Sequence, residues 1–144
     1  MTSTFALDLE KFAQKTSRTL EQAVRMVVME CGRRVVEKSP VGDGNLWKDP
    51  PPKGYVGGRF RGNWQYSFGA VKDGDLPDID KTGAVSLSRI TAGVNTSPAF
   101  GVHYIHNNLP YAQRLEDGYS TQAPAGMVGL TVVEYQQIVQ RVTG

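Results

Sequence analysis

Residues 5–38, FALDLEKFAQKTSRTLEQAVRMVVMECGRRVVEK, decide the fold of this chain. Their apolar side chains recur at spacings of four, three, four and four, which is the period of an α-helix and not of a strand. The central members of this apolar stripe are Leu20, Val24, Val27, Cys31 and Val35. Leu9, Phe12 and Ala13 extend the stripe toward the amino terminus. The pattern therefore predicts one long amphipathic helix.

The predicted helix is longer than the domain that carries it. It ends at Ser39-Pro40, because proline disfavours the helical conformation of the residue before it. A helix over 5–38 spans about 50 Å, whereas a compact chain of this length has a diameter of roughly 37 Å. We therefore expect the helix to extend beyond its own domain, where a neighbouring subunit is the simplest cover. A break at Thr16-Ser17 into two packed helices is the alternative.

The composition limits the class of protein. A chain of 144 residues is long enough for one hydrophobic core and too short for two ordinary domains. The single cysteine excludes an intramolecular disulfide and a cysteine-rich zinc site. No apolar run is long enough to cross a bilayer, and the first residues do not form a secretory signal. These features predict a single domain, 1–144, made in a reducing cytosol and not bound to a membrane.

The charges are nearly balanced and unevenly placed. The net charge is +2, which is too small to predict general adhesion to nucleic acid. Residues 1–71 carry eleven basic and seven acidic side chains, whereas residues 72–144 carry five and seven. This distribution is compatible with head-to-tail stacking on copies or neighbours. It is equally compatible with a solvated surface that binds nothing.

Residues 39–62 are rich in proline and glycine and predict an extended docking loop. The aromatic and basic residues of this segment are Trp47, Lys48, Lys53, Tyr55, Arg59, Phe60 and Arg61. This composition favours contact with another protein, because aromatic residues and arginine dominate the energetics of interfaces. The alternative is nucleic-acid binding by residues 47–66, with aromatic rings stacked on bases and basic side chains beside phosphates.

Two alternating segments predict a small, mostly antiparallel sheet. Residues 63–71 alternate between apolar and polar side chains and predict a half-buried strand. Residues 100–107 predict a second strand, followed by a turn. Residues 82–92 are compatible with either a helix or a strand, and Asp80 or Thr82 is a suitable cap if this segment is helical.

The carboxyl-terminal part predicts short helices. Residues 111–117 indicate one or two helical turns ended by Gly118. Residues 127–142 predict a closing helix, and a strand is the alternative because the segment begins with β-branched residues. Together with the long first helix and residues 63–142, these patterns predict an α+β fold.

The residues that most often carry chemistry do not form a catalytic or metal-binding pattern. Cys31 lies on the apolar stripe, where burial is expected to raise the pKa of the thiol and make it a poor nucleophile. His103 and His106 are three residues apart on a predicted strand, so they face opposite sides and cannot share a metal. The acidic segment 73–80 lacks the glycine and glutamate positions of an EF-hand and predicts a solvated turn. We therefore expect no catalytic residue, no metal and no cofactor.

Four segments carry a resemblance to a known family. They are SPVG at 39–42, GRFRGNW at 58–64, YIHNNLPYAQRLE at 104–116 and the segment 118–128. Together with the long first helix, they resemble the neck and tail-completion (minor tail, head–tail joining) proteins of long-tailed double-stranded DNA bacteriophages. Residues 43–57 look like an insertion, since shorter family members pass directly across this point.

The resemblance implies a non-enzymatic structural protein of the virion, present in the host cytoplasm during assembly. It implies a tail-completion or tail-terminator adaptor that forms a ring, expected to contain six copies, against the head connector, the tail tube or terminator proteins. Genomic DNA would pass through the lumen without sequence-specific binding. The side chains of Arg114 and Glu116 are expected to pair locally or across a subunit boundary. The residues expected at subunit or partner contacts are Trp47, Tyr55, Arg59, Phe60, Arg61, Trp64, Tyr111, Arg114, Glu116, Tyr119, Gln122 and Met127.

Overall fold

The structure, a computed structural model, describes residues 4–42 and 57–143; side chains of the first helix are described at 8–11, at 14 and from 19 onward. Its elements are α1 (Thr4–Lys38), a short 3-10 helix (Arg61–Asn63), β1 (Trp64–Phe68), α2 (Ala84–Thr96), β2 (His103–Asn107), α3 (Ala112–Glu116), α4 (Val128–Val133) and α5 (Tyr135–Thr143). This arrangement confirms the α+β class. The predicted interface residues Trp47 and Tyr55 lie outside the described residues.

Helix α1 is one continuous helix, so the chain does not adopt the alternative of a break at Thr16-Ser17. Its last turns enter the core, where Val35 and Val36 are buried. Gly32 allows α2 to approach closely, because a Cβ atom there would lie 2.9 Å from a side-chain carbon of Ile90. At the end of the helix the Ser39 hydroxyl donates to the carbonyl of Val35 at 2.6 Å.

Strands β1 and β2 form a two-stranded antiparallel sheet in which Trp64 lies opposite Asn107 and Phe68 opposite His103. Both strands are shorter than the sequence predicts. The prediction of a half-buried strand is corrected, because polar residues of β1 are buried as well. Gln65 explains this burial, since its amide donates to the carbonyl of Gly74 at 2.9 Å and so holds the following segment against the sheet.

The two histidines lie on opposite faces of the sheet, as their spacing predicts. The Tyr66 hydroxyl lies 2.6 Å from Nδ1 of His103, whereas the Ser67 hydroxyl lies 3.3 Å from Nε2 of His106. Since Tyr66 and Ser67 are consecutive strand residues, their side chains point to opposite sides. Both histidines therefore have packing and hydrogen-bonding roles within the sheet.

Helix α2 packs on β1 and buries Ile90 and Val94. The segment after Thr82 is thus helical and not a strand. Asp80 caps this helix: its carboxylate accepts the backbone N–H groups of Gly83 at 3.0 Å and Ser86 at 2.9 Å. Asp80 is buried, which corrects the prediction that the whole acidic segment is a solvated turn.

The carboxyl-terminal part closes the fold with two helices instead of the single helix predicted over 127–142. Helices α4 and α5 meet at Glu134 and both contact α1. Ile138 of α5 is fully buried. The strand alternative for this segment is not adopted.

Candidate subunit interface

An apolar groove lies where α1, β2, α4 and α5 meet. Its cavity volume is about 270 Å³, and it is lined by Cys31, Val35, Ile105, Val128, Thr131, Val132 and Tyr135. The hydroxyl of Thr131 is already used, since it donates to the carbonyl of Met127 at 2.8 Å. At the rim, Val132 is 66% exposed and Tyr135 is 51% exposed. The groove therefore offers an open apolar surface to a partner that presents apolar side chains.

Cys31 contributes its thiol to this groove. Burial raises the pKa of the Cys31 thiol, and the positive charge of Arg34 opposes this effect only in part. The predicted raised pKa is thus confirmed. The expected burial of Cys31 is only partial, because its side chain lines the groove and is half-buried. A neutral thiol adds apolar surface and is a weak nucleophile.

The first half of α1 is the second apolar feature. Every side chain described between positions 8 and 20 is exposed, and Leu20 is 53% exposed. Leu9, Leu20 and Cys31 are eleven residues apart, and eleven residues make close to three whole helical turns. The three side chains therefore share one face of the helix. The stripe that enters the groove continues along the helical segment from Thr4 to Leu20, which is about 24 Å long and whose described side chains are exposed.

An ionic network fixes the helices that form the groove. Glu134, between α4 and α5, accepts hydrogen bonds from Arg34 and from Lys38 of α1, the latter at 2.8 Å. Glu30 pairs with Arg33 and Arg34 one turn earlier. The Lys38 ammonium and the Arg34 guanidinium lower the pKa of Glu134 although burial opposes them. Hydrogen bonding to Arg33 likewise lowers the pKa of Glu30.

Replacement of Glu134 by alanine tests this network. We expect the free energy of unfolding to fall more than it does for Glu37→Ala, because two cations of α1 lose their acceptor. Glu37→Ala is the matched control: Glu37 pairs with Arg33 at an exposed i,i+4 position, and such pairs contribute under about 1 kcal/mol. Urea denaturation measures both variants. Equal losses would show that Glu134 makes an ordinary surface contact.

Glu116 holds the corner between α3 and α4. Its carboxylate accepts the backbone N–H groups of Met127 at 3.0 Å, Val128 at 2.9 Å and Gly129 at 2.9 Å. The expected pair with Arg114 is therefore corrected, because these N–H groups occupy the carboxylate, and the Arg114 guanidinium lies 5.3 Å from the centre of the Tyr119 ring. Burial alone would raise the pKa of Glu116, but the three N–H donors lower it below its ordinary value.

Acid titration tests the role of Glu116. Since the folded state lowers its pKa, Glu116 stabilises the fold above its unfolded pKa of about 4.3, and this contribution is lost as pH falls through the folded pKa. We expect Glu116→Gln to cost about 1 kcal/mol at pH 7. The difference from the natural protein should shrink toward pH 3, as followed by urea denaturation across this range. Asp117→Asn is the control, and a difference that does not change with pH would contradict this role.

Three of the residues expected at contacts are core residues. The exposed fractions are 5% for Phe60, 3% for Trp64 and 1% for Met127. The Phe60 and Trp64 rings pack edge to face with centroids 5.8 Å apart. The indole N–H of Trp64 donates to the Ser39 hydroxyl at 2.6 Å. These side chains stabilise the subunit itself and present almost no surface to a partner, which corrects their assignment to an interface.

Arg59 and Arg61, which lie in the segment predicted to be a docking loop, bind partners within the chain. The Arg61 guanidinium donates to the backbone carbonyls of Ser39 at 2.6 Å, Lys81 at 2.5 Å and Glu37 at 3.3 Å. It thereby satisfies carbonyls at the end of α1, where a positive charge is favourable. Arg59 pairs with Asp75 at 2.5 Å. The described end of the loop, from 57 onward, is thus bound to the body of the protein.

The remaining expected residues lie near the corner. The Gln122 amide makes two bonds to the backbone of Val41, donating at 2.8 Å and accepting at 3.0 Å. Tyr119 is 71% exposed and lies beside Arg114, as described above. Tyr111 is partly exposed, and its ring lies 6.3 Å from that of Phe60. Tyr111, Arg114 and Tyr119 therefore keep surface available for a partner, whereas Gln122 orders the start of the loop.

Sequence reasoning did not identify the residues of the groove as a group. Ile105, Val128, Val132 and Tyr135 come from one strand and two short helices. The only signal in the sequence is the set of β-branched residues in 128–133. They make more than one side of a six-residue helix apolar. Since the elements packed against this helix cover only one side, apolar side chains stay exposed on the other.

The described residues form neither a metal site nor a helix that could span a membrane. No group of three or more His, Cys, Asp and Glu residues within 4–42 and 57–143 is placed to hold a metal ion. Among the described helices, none combines the length and the apolar character needed to span a bilayer. Comparisons with protein-family models, curated proteins and solved structures found no match.

Proposed function

We propose that this protein is a structural subunit of the neck or tail end of a long-tailed phage. It assembles into a ring that serves as a tail-completion or tail-terminator adaptor in head–tail joining. The observation that carries this proposal is the 35-residue helix α1, whose first half presents Leu9 and Leu20 on one face, both of them exposed. The resemblance of four sequence segments to phage neck and tail-completion proteins supports the same assignment.

The proposed mechanism is assembly by shape. A surface that binds a different surface of the next copy generates a closed ring when the rotation between copies closes. The resemblance suggests six copies, a lumen through which genomic DNA passes without sequence-specific binding, and contacts with the head connector or the tail tube. A net charge of +2 is small enough that DNA could move past the protein without strong electrostatic binding. The ring would lie in the virion, after assembly in the host cytoplasm.

The nucleic-acid-binding alternative has less support. It needs the aromatic and basic side chains of residues 47–66 to be free for stacking and for phosphate contacts. In the described part of this segment, Arg59 and Arg61 bond within the chain, and Phe60 and Trp64 are buried. No observation on the described residues favours this function.

Native mass spectrometry and electron microscopy of the purified protein test the proposal. We expect a closed ring of a single stoichiometry, and binding to oligonucleotides that is weak at physiological salt. A protein that stays monomeric at every concentration and binds oligonucleotides with a steep salt dependence would contradict the ring and favour the alternative.

A further inference from the structure

We infer that the apolar groove between α1, β2, α4 and α5 receives the first half of α1 from a second copy of this chain. This inference rests on the proposed ring, and it assigns one of the surfaces by which copies join. The contact is head-to-tail, because the exposed helical segment and the groove are different parts of the same subunit.

The chain cannot fill its own groove with this segment. Leu20 and Cys31 lie on one continuous helix, and eleven residues at 1.5 Å each separate their backbones by about 16 Å. A continuous helix does not fold back on itself. If the first half of an α1 helix enters the groove, it therefore belongs to another molecule.

The chemistry of the groove matches the exposed helix of a second copy. Its lining is almost entirely apolar, and its volume of about 270 Å³ lies just below the usual range of small-ligand pockets. It therefore has room for a few apolar side chains. Leu9 and Leu20 are exposed apolar side chains on one face of α1. Each copy carries one such helix and one such groove, so every groove in a ring can receive the helix of a neighbouring copy.

The expected contact area explains why a ring would form instead of a dimer. Half the lateral surface of a helix about 24 Å long and 11 Å wide is about 400 Å². Because the groove admits only a few side chains of this helix, the contact buries less than about 800 Å² in total, well below the roughly 1,200 Å² of stable complexes. One such contact is weak. In a closed ring, however, every copy makes two contacts, and the contact that closes the ring forms within a single assembly, which favours closure. Monomers and closed rings should therefore dominate over open intermediates.

Disulfide trapping with the native cysteine tests the inference. Since Cys31 is the only cysteine, a chain with Leu20→Cys and Cys31→Ser forms a disulfide to position 31 only with another copy. We mix this variant, or Leu9→Cys with Cys31→Ser, with the natural protein under mild oxidation. Mass spectrometry identifies the linked peptides. Val71→Cys with Cys31→Ser is the control, because Val71 is similarly exposed and does not line the groove.

The expected result is a link from position 9 or 20 to Cys31, found in closed rings and absent for the Val71 control. Rings without this link would overturn the groove assignment and leave the proposed ring standing. The link in species no larger than dimers would uphold the groove assignment and contradict the ring. Absence of both the link and rings would overturn both, provided that thermal melting shows each variant to be folded. Equal linking of the Val71 control would also overturn the assignment, since the link would then reflect random collision.

Discussion

Replacement of Trp64 by alanine is expected to lower the free energy of unfolding by about 3–5 kcal/mol, the usual range for a large aromatic residue in a core. Trp64 is 3% exposed and packs against Phe60. Its indole N–H also ties β1 to the end of α1 through the Ser39 hydroxyl. The variant therefore loses both ring packing and the link between two elements. Urea denaturation of the purified variant measures the loss.

Trp64→Phe separates these two contributions. It keeps an aromatic ring in the core and removes the donor to Ser39, whose hydroxyl still donates to Val35. We expect the hydrogen bond to account for about 1 kcal/mol of the loss, with the smaller ring adding part of the remainder. A Trp64→Ala variant that keeps the stability of the natural protein and only loses assembly would contradict this core role and restore Trp64 as an interface residue.

The contrast at Trp64 shows where sequence reasoning reaches its limit. The segment 58–64 combines aromatic residues, arginine and glycine, and this composition is shared by docking loops and by tightly packed turns. What distinguishes them is the set of carbonyl partners of Arg61, which come from the end of α1 and from Lys81. These partners are twenty or more residues away, so local composition does not reveal them.

The elements that sequence reasoning predicted well are those with a local cause. The period of α1, the existence of β1 and the stop at Gly118 all arise from neighbours within a few positions. Asp80 caps α2 from six residues before Ser86, which is still local, and it was a predicted cap. Glu116 accepts N–H groups eleven to thirteen residues away, so it was predicted instead as the partner of nearby Arg114.

The groove illustrates the same limit for a functional site. Its residues come from α1, β2, α4 and α5, and they form a cavity only after these elements pack. For the proposed contact through α1, the length of this helix was the part that the sequence could predict, because helix rise and domain diameter follow from residue counts alone. The predicted extension of α1 beyond its own domain follows from residue counts, whereas the groove is seen only in the structure. Together these two independent observations make assembly through α1 testable.

Replacement of Leu20 by glutamate is expected to raise the concentration at which rings form by about 100-fold. In the single chain Leu20 is 53% exposed, so the folded monomer should lose at most about 0.5 kcal/mol of stability. In the proposed ring the same position enters an apolar groove, where an unpaired carboxylate costs several kcal/mol. A loss of about 2.7 kcal/mol per contact corresponds to 100-fold in affinity. Mass photometry across a dilution series measures the shift.

Gln22→Glu is the matched control for this prediction. It adds a similar carboxylate to the same helix two residues later, where the side chain is also exposed. Two residues rotate the helix by about 200°, so Gln22 faces away from the stripe shared by Leu9, Leu20 and Cys31. We expect the control to assemble like the natural protein. If both variants lose assembly equally, the cause is the added charge on α1 and not the apolar face. If neither does, α1 does not join the copies.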